Sequence, residues 1–108
     1  MSVLEDRLLA QLTAAGVLAP ERELRLVPRR KFRVDLAWPA ARLAVEVDGG
    51  AFIGGRHTSG AGFTRDAEKS NLLVLGGWRV LHVTAPQIRD GSAVRWIRQA
   101  LDGVEVVR

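Results

Sequence analysis

Asp35, Glu46 and Asp48 stand on two short stretches that alternate apolar and polar residues, Phe32 to Trp38 and Leu43 to Asp48. A period of two is the pattern of half-buried strands. In the first stretch Phe32, Val34, Leu36 and Trp38 share one face, opposite Arg33, Asp35 and Ala37; in the second, Leu43, Val45 and Val47 are expected in the core, with Ala44, Glu46 and Asp48 facing away. Pro39 to Arg42 are few enough to close a hairpin. A turn centred between Ala40 and Ala41 sets Asp35 opposite Glu46 and Arg33 opposite Asp48, with facing Cβ atoms about 5 Å apart. A slip of one residue would send the carboxylates to opposite faces. Carboxylates so close raise each other's pKa unless a positive charge sits among them. A hard divalent cation is the natural neutraliser: Mg²⁺, with Mn²⁺ expected to substitute, takes one or two carboxylates and substrate phosphate oxygens while keeping bound waters. The chemistry such a cluster suits is metal-assisted phosphodiester hydrolysis. The plainer alternative is a solvated face, with Asp35 paired to Arg33 or another arginine.

Composition agrees with an acidic site in a basic protein. The 108 residues carry 16 basic side chains against 12 acidic ones, a formal net charge of +4, and the excess is almost all arginine, since Lys31 and Lys69 are the only lysines. The planar fork of arginine suits phosphate, so nucleic acid is the favoured partner, with an arginine-rich genome composition as the bland explanation. Cysteine is absent, which excludes disulfide frameworks, thiolate zinc sites and cysteine nucleophiles, and tyrosine is absent too. One domain of this size buries enough surface for a single core. No apolar stretch approaches the roughly 18 residues of a membrane span, and Glu5 and Asp6 stand where a signal peptide would be basic and then apolar. A cytoplasmic protein with no membrane partner is expected.

The elements that must position the carboxylates follow from periodicity and punctuation. Ser2 to Ala15 reads as a helix stopped at Gly16, and Glu23 to Val27 as a short strand closed by Pro28 and the basic run Arg29, Arg30, Lys31. After the hairpin, Gly49 to Gly62 holds six glycines in fourteen residues and reads as a bent loop carrying Arg56 and His57. Thr64 to Leu75 reads as a second helix ended by Gly76 and Gly77, Trp78 to Thr84 as a strand, Ala93 to Leu101 as a third helix, and Val104 to Val107 as an edge strand or tail. The order helix, three strands, helix, strand, helix is an α/β layer architecture.

That order, with Glu5 near the start of the first helix, Asp35 on one strand, Glu46-Val47-Asp48 on the next and Lys69 on the following helix, resembles the PD-(D/E)XK nuclease superfamily. Arg33-Val-Asp-Leu, Ala44-Val-Glu-Val-Asp-Gly-Gly and Gly77-Trp-Arg-Val-Leu are similar to small endonucleases related to very-short-patch repair enzymes, and the short chain with its helical glutamate resembles archaeal-type Holliday junction resolvases. The resemblance implies a restriction-endonuclease-like core with a mixed central sheet flanked by helices. It implies that Asp35 and Glu46 ligate Mg²⁺, with the Val47 carbonyl as a further ligand, and that Glu5 completes the metal shell or positions water. Two residues depart from the motif: Val34 replaces its proline, and Asp48 stands in the place of the lysine that orients the water and stabilises the transition state. Either Asp48 holds a second metal or Lys69 reaches in from the second helix.

Other candidates keep two readings. Ser2 and Glu5 have capping-box spacing, so Glu5 is either a site carboxylate or a tie to its own helix. Lys69, with Asp66 and Arg65 nearby, is a catalytic or a solvated lysine. His57 is a general base, a substrate contact or a loop residue, whereas His82 reads as structural. Arg29, Arg30, Lys31, Arg33, Arg56 and Arg65, with His57, are the expected nucleic-acid contacts. The substrate is expected to be branched DNA, since a compact domain without a separate reading module suits shape and backbone recognition. Mismatch-nicking or restriction-like cleavage of duplex DNA, or a catalytically silent DNA-binding module, are the alternatives. Paired cuts in a junction require a twofold homodimer, for which Val94, Trp96, Ile97 and Leu101 are the candidate interface.

Overall fold

The computed structural model describes residues 2–48 and 60–102. The first helix, α1 (Val3–Ala14), begins where the Ser2 hydroxyl accepts from the Leu4 and Glu5 amides. It ends in a left-handed Gly16, with the Val17 amide donating to the Leu12 carbonyl and that of Gly16 to Thr13. This two-bond ending satisfies carbonyls that the last turn leaves open. The glutamate half of the expected capping box is absent: the Glu5 carboxylate turns to Arg22 instead.

Four strands follow in the spatial order of the chain: β1 (Glu21–Leu24), β2 (Val34–Trp38), β3 (Leu43–Val47) and β4 (Arg79–Val83). The first three are antiparallel; β4 lies parallel to β3, reached by a crossover through α2 (Gly60–Leu75). The hairpin has the expected register. Leu36 faces Val45, Ala37 faces Ala44 and Trp38 faces Leu43, which by continuation sets Asp35 against Glu46. Its connection is a 3₁₀ turn, Pro39–Ala41, closed by Arg42 in the left-handed region.

Four expectations need correction. Helix α2 begins at Gly60, four residues before Thr64 and inside the stretch expected to be a loop. The first strand starts two residues earlier than Glu23 and stops at Leu24, because pairing with β2 runs from Glu21 against Ala37 to Leu24 against Val34. Ala44 and Glu46 do not face solvent: β3 is central, with α2 covering one face and α1 with the carboxy-terminal helices the other, and both residues are buried. A short helix α3 (Ala85–Arg89), with a Thr84–Gln87 capping box and Pro86 in its first turn, precedes α4 (Ser92–Leu101). Pro86 disguised it, since proline reads as a breaker but is tolerated in a helix's first turn.

The two faces of the sheet differ. Towards α1, α3 and α4 lies the main core, in which Leu8, Leu12, Leu36, Leu43, Val45, Val83, Ile88 and Ile97 are fully buried. Trp38 joins it with its indole N–H satisfied by the Leu18 carbonyl at 2.7 Å. The face towards α2 has a smaller cluster of Val34, Ala37, Ala44, Leu73 and Trp78. Ile97 and its neighbours Val94 and Leu101 are thus taken up by the core, leaving Trp96 as the large apolar residue that α4 exposes. Of the set expected as a dimer interface, Ile97 is buried, Val94 and Leu101 are half-buried against the core, and Trp96 is exposed.

Helix α2 ends like α1. The Trp78 amide donates to the Leu73 carbonyl at 2.9 Å and that of Gly77 to Val74 at 3.0 Å, with Gly77 at φ +91°. A side chain at Gly77 would be strained in this region and would meet the Arg42 guanidinium, which bonds the Gly76 carbonyl. Gly77→Ala is expected to cost about 1 kcal/mol or more in urea unfolding, whereas Gly60→Ala, whose Cβ meets nothing, should not.

Candidate active site

The registers align four polar residues across the sheet. Glu23 lies between two pairs that fix it opposite Asp35, Asp35 continues onto Glu46, and Glu46 faces His82. One transverse row, Glu23–Asp35–Glu46–His82, therefore crosses all four strands.

Asp35 is held by the sheet itself: the Val47 amide donates to its Oδ2 at 2.7 Å. On the β1 side, oxygens of Asp35, Glu23 and Glu5 all lie within 4.8 Å of one another, the group among the described residues able to hold a metal ion. Glu5 is buried there and anchored by Arg22 Nη2 at 3.1 Å from Oε1. Glu23 takes its place with φ +54°, a left-handed conformation uncommon for a residue with a side chain. The donors are all carboxylate oxygens, which suits a hard cation. A hard cation such as Mg²⁺ takes donors of this kind.

Beside Asp35 on the other side, Glu46 is buried and forms an ion pair with Lys69 of α2. Lys69 also donates to the Arg33 carbonyl, tying α2 to the chain just before β2. Burial pushes the Glu46 carboxyl up to about 7; Lys69 opposes the shift through its hydrogen bond and charge, and the Asp35 carboxylate adds to it. Glu46 is outside the three-carboxylate group, so the close set is Glu5, Glu23 and Asp35, where Glu5, Asp35 and Glu46 were expected.

A third cluster completes the row. His82 Nδ1 lies 3.0 Å from Asp48 Oδ2, and His82 Nε2 lies 3.0 Å from the Ser70 hydroxyl. With Glu46, Lys69, Phe63, Asp66 and Ala67 these residues line an open cavity of about 430 Å³ between α2 and the sheet. Asp48 faces His82, and the cation beside Glu46 comes from the helix. His82, expected to be structural, is exposed at this cavity. Arg33 does not share the row: it is exposed, as are Arg29, Lys31 and Arg65. Arg30 stacks on Phe32 and pairs with Glu68 at 3.0 Å, holding the Glu68 carboxyl below its usual range. Arg56 and His57, with the rest of 49–59 and the tail from 103, lie outside the described residues.

Sequence reasoning missed Glu23, Ser70 and His82. Glu23 had a signal, for it is the one carboxylate of β1 that the register of two hairpins carries to Asp35, but that register needed the true start of β1. Ser70 and His82 had none, because their partners are 12 and 34 residues away.

Compared with known proteins, the sequence matches no family and no curated relative. The structure is similar to the catalytic domain of the homing endonuclease I-Bth0305I, with a TM-score of 0.70 at 18% identity over 94% of this chain and 95% of that one. At that identity the likeness establishes the fold: a four-stranded mixed sheet flanked by helices, shared with a nuclease catalytic domain. Among the described residues no helix is long and apolar enough to cross a membrane.

The Glu46 shift has a consequence for stability. Its folded pKa of about 7 lies above the ordinary 4.5, so the folded state binds the proton more tightly between those values. The resulting stabilisation is full below about pH 4.5 and is lost as the pH rises through 7, by at most about 3 kcal/mol. His82, whose pKa is raised chiefly by its hydrogen bond to Asp48, contributes in the same direction at somewhat higher pH. In metal-free buffer, Glu46→Gln is expected to flatten the decline between pH 4.5 and 7 in a urea-melt series and leave the part above it. An unchanged slope would assign the effect to another group.

Proposed function

We propose that this chain is a metal-dependent DNA endonuclease. The observation that carries the reading is the row of Glu23, Asp35 and Glu46 across adjacent strands, with Glu5 on one side and Lys69 on the other, on a fold shared with a homing endonuclease's catalytic domain. A silent binding module gains nothing from carboxylates grouped where phosphate must come, and it has no need of a lysine brought from a helix to a buried glutamate.

The residues divide the work by chemistry. Glu5, Glu23 and Asp35 would hold a divalent cation, Mg²⁺ or Mn²⁺, which supplies a more acidic water and neutralises charge on the phosphate. The Val47 amide keeps Asp35 turned to the cluster, and Arg22 keeps Glu5 there. Lys69 supplies the fixed positive charge that an aspartate at position 48 cannot, and its bond to the Arg33 carbonyl limits its freedom. Glu46 orients Lys69 and, poised near neutrality, accepts a proton from the attacking water. Arg29, Lys31, Arg33 and Arg65 are exposed for phosphate contacts, and Arg30 contributes less because Glu68 already neutralises it.

Duplex DNA is the substrate this reading favours over a four-way junction. Paired cutting of a Holliday junction by a homodimer called for an apolar face on α4, and Val94, Ile97 and Leu101 are engaged with the core. The test is cleavage of a labelled four-way junction beside linear duplexes of random and mismatched sequence, with Mg²⁺ or EDTA, using wild type, Asp35→Asn and Lys69→Ala. Mg²⁺-dependent nicking of duplex, reduced at least 100-fold by Asp35→Asn and about 10- to 100-fold by Lys69→Ala, is expected. Symmetric cuts confined to the junction would restore the resolvase; tight binding without cleavage of any substrate would make the chain a silent module.

A further inference from the structure

The cavity between α2 and the sheet holds a group that the proposed hydrolysis leaves unused. Cleaving a phosphodiester releases an alkoxide from phosphorus, and that oxygen needs a proton as its bond breaks. Lys69 is committed to Glu46 and to the Arg33 carbonyl, and Glu46 to Lys69. His82 is placed differently. Its Nδ1–H is held by Asp48, an arrangement that fixes the ring and favours its charged form, while among the described residues its Nε2 meets a hydroxyl, that of Ser70. A hydroxyl accepts from Nε2–H when the ring is charged and turns to donate when it is neutral, so it holds the ring in both states without blocking proton release. His82 and Asp48 are both about two-fifths exposed, open to a substrate in the cavity.

We infer that His82 is the general acid of the reaction, positioned by Asp48 and Ser70, and that its Nε2 proton passes to the leaving oxygen. The inference rests on the nuclease reading. A water oxygen forms its bond to phosphorus and gives one proton to Glu46, the bond from phosphorus to the leaving oxygen breaks, and the Nε2 proton satisfies that oxygen. Glu46 returns its proton to solvent, and the imidazole takes one back. The charges facing His82 are Glu46 on β3, Asp48 just past it and Asp66 on α2, all acidic, with Lys69 of α2 paired to Glu46 beside them. They keep the ring's pKa above its ordinary value, with the Asp48 hydrogen bond the largest cause. The other account is structural: Asp48, His82 and Ser70 merely tie α2 to the sheet.

A change of leaving atom separates the two. A sulfur in the bridging position leaves as a thiolate and needs no proton. With the wild-type cut site mapped in Mg²⁺ on linear duplex and four-way junction DNA, the substrate that is cut is made with sulfur at each bridging position in turn. His82→Gln is expected to cut the oxygen substrate about 100-fold more slowly than wild type and the sulfur substrate within threefold of wild type. Asp48→Asn, which removes the charge that supports the imidazolium, should lose more activity at pH 8 than at pH 6 on oxygen and show no such difference on sulfur. Equal losses on oxygen and sulfur would make the cluster structural and overturn the inference, with the nuclease intact. Failure of wild type to cut any DNA in Mg²⁺ would overturn the nuclease reading and the inference with it.

Discussion

A buried carboxylate on the central strand is the constraint around which this site is arranged. Glu46 stands on β3, which has neighbours on both edges and helices on both faces, and its charge is largely shielded from water although it borders the cavity under α2. An isolated ion in such a place would be neutralised or expelled. Lys69 offsets part of that cost, and to do so α2 must lie with its middle turns over β3 and β4. Once α2 is there, Ser70, one residue on, meets His82 on β4, and the Lys69 ammonium reaches the Arg33 carbonyl ahead of β2. The placement of α2 also explains the small side chains beneath it. Ala37 and Ala44 leave room for the helix, whereas the opposite face is filled by leucine, isoleucine and valine. Stability resides mainly in the α1 and α4 side, and the α2 side is free to carry polar groups.

The row of polar residues sorts chemistry by position. Among the described residues the carboxylates at the β1 end outnumber the cations, with Arg22 bound to Glu5, and the donor set suits a metal ion. At the β4 end an imidazole stands between a carboxylate and a hydroxyl. Glu46 lies between them, its carboxyl pushed up to about 7 chiefly by burial. A substrate phosphate above Asp35 and Glu46 would thus have a cation-binding pocket on one flank and a proton donor on the other. Hydrolysis of a phosphodiester needs that asymmetry, because one oxygen arrives while another departs.

Much of this was legible in the sequence, and what was not has physical causes. Alternation from Phe32 to Trp38 and from Leu43 to Asp48, with a connection of four residues, sets the hairpin register, because the core side of each strand would be lost by a slip. Helix ends were marked by Gly16, Gly76 and Gly77, residues that tolerate positive φ where others are strained. The first strand was harder. Charged and apolar residues alternate only from Glu23 to Leu26, whereas the strand begins in the charged run Glu21-Arg22-Glu23, and pairing with β2 decides which residues form it. Glu23 consequently remained hidden, although it stands opposite Asp35. The alternation of Glu46 with Val45 and Val47 reads as solvent-facing, since a one-dimensional pattern cannot show that a crossover helix covers that face. Lys69 has a surface lysine's neighbours in sequence, and only the packing of α2 distinguishes the two fates.

Under the proposed function, Asp48 raises the question of how the site would work with an acid where the motif it resembles has a lysine. A lysine at position 48 would project from the end of β3, where the chain enters the glycine-rich segment, and Asp48 does not replace its charge. In the proposed reading that charge comes from α2, a helix packed on the sheet, where Lys69 is held at two points by Glu46 and the Arg33 carbonyl. A lysine fixed at both a carboxylate and a backbone carbonyl loses less freedom on meeting substrate than one at a strand end, so its field is better preorganised. The vacated position is then available for a different function. A lysine there would repel a protonated His82, whereas Asp48, whose amide is anchored to the Val83 carbonyl at 2.8 Å, draws the imidazole's Nδ1 towards it. In that reading Lys69 on α2 keeps a positive charge beside Glu46, and Asp48, just past β3, orients a histidine at the far end of the row.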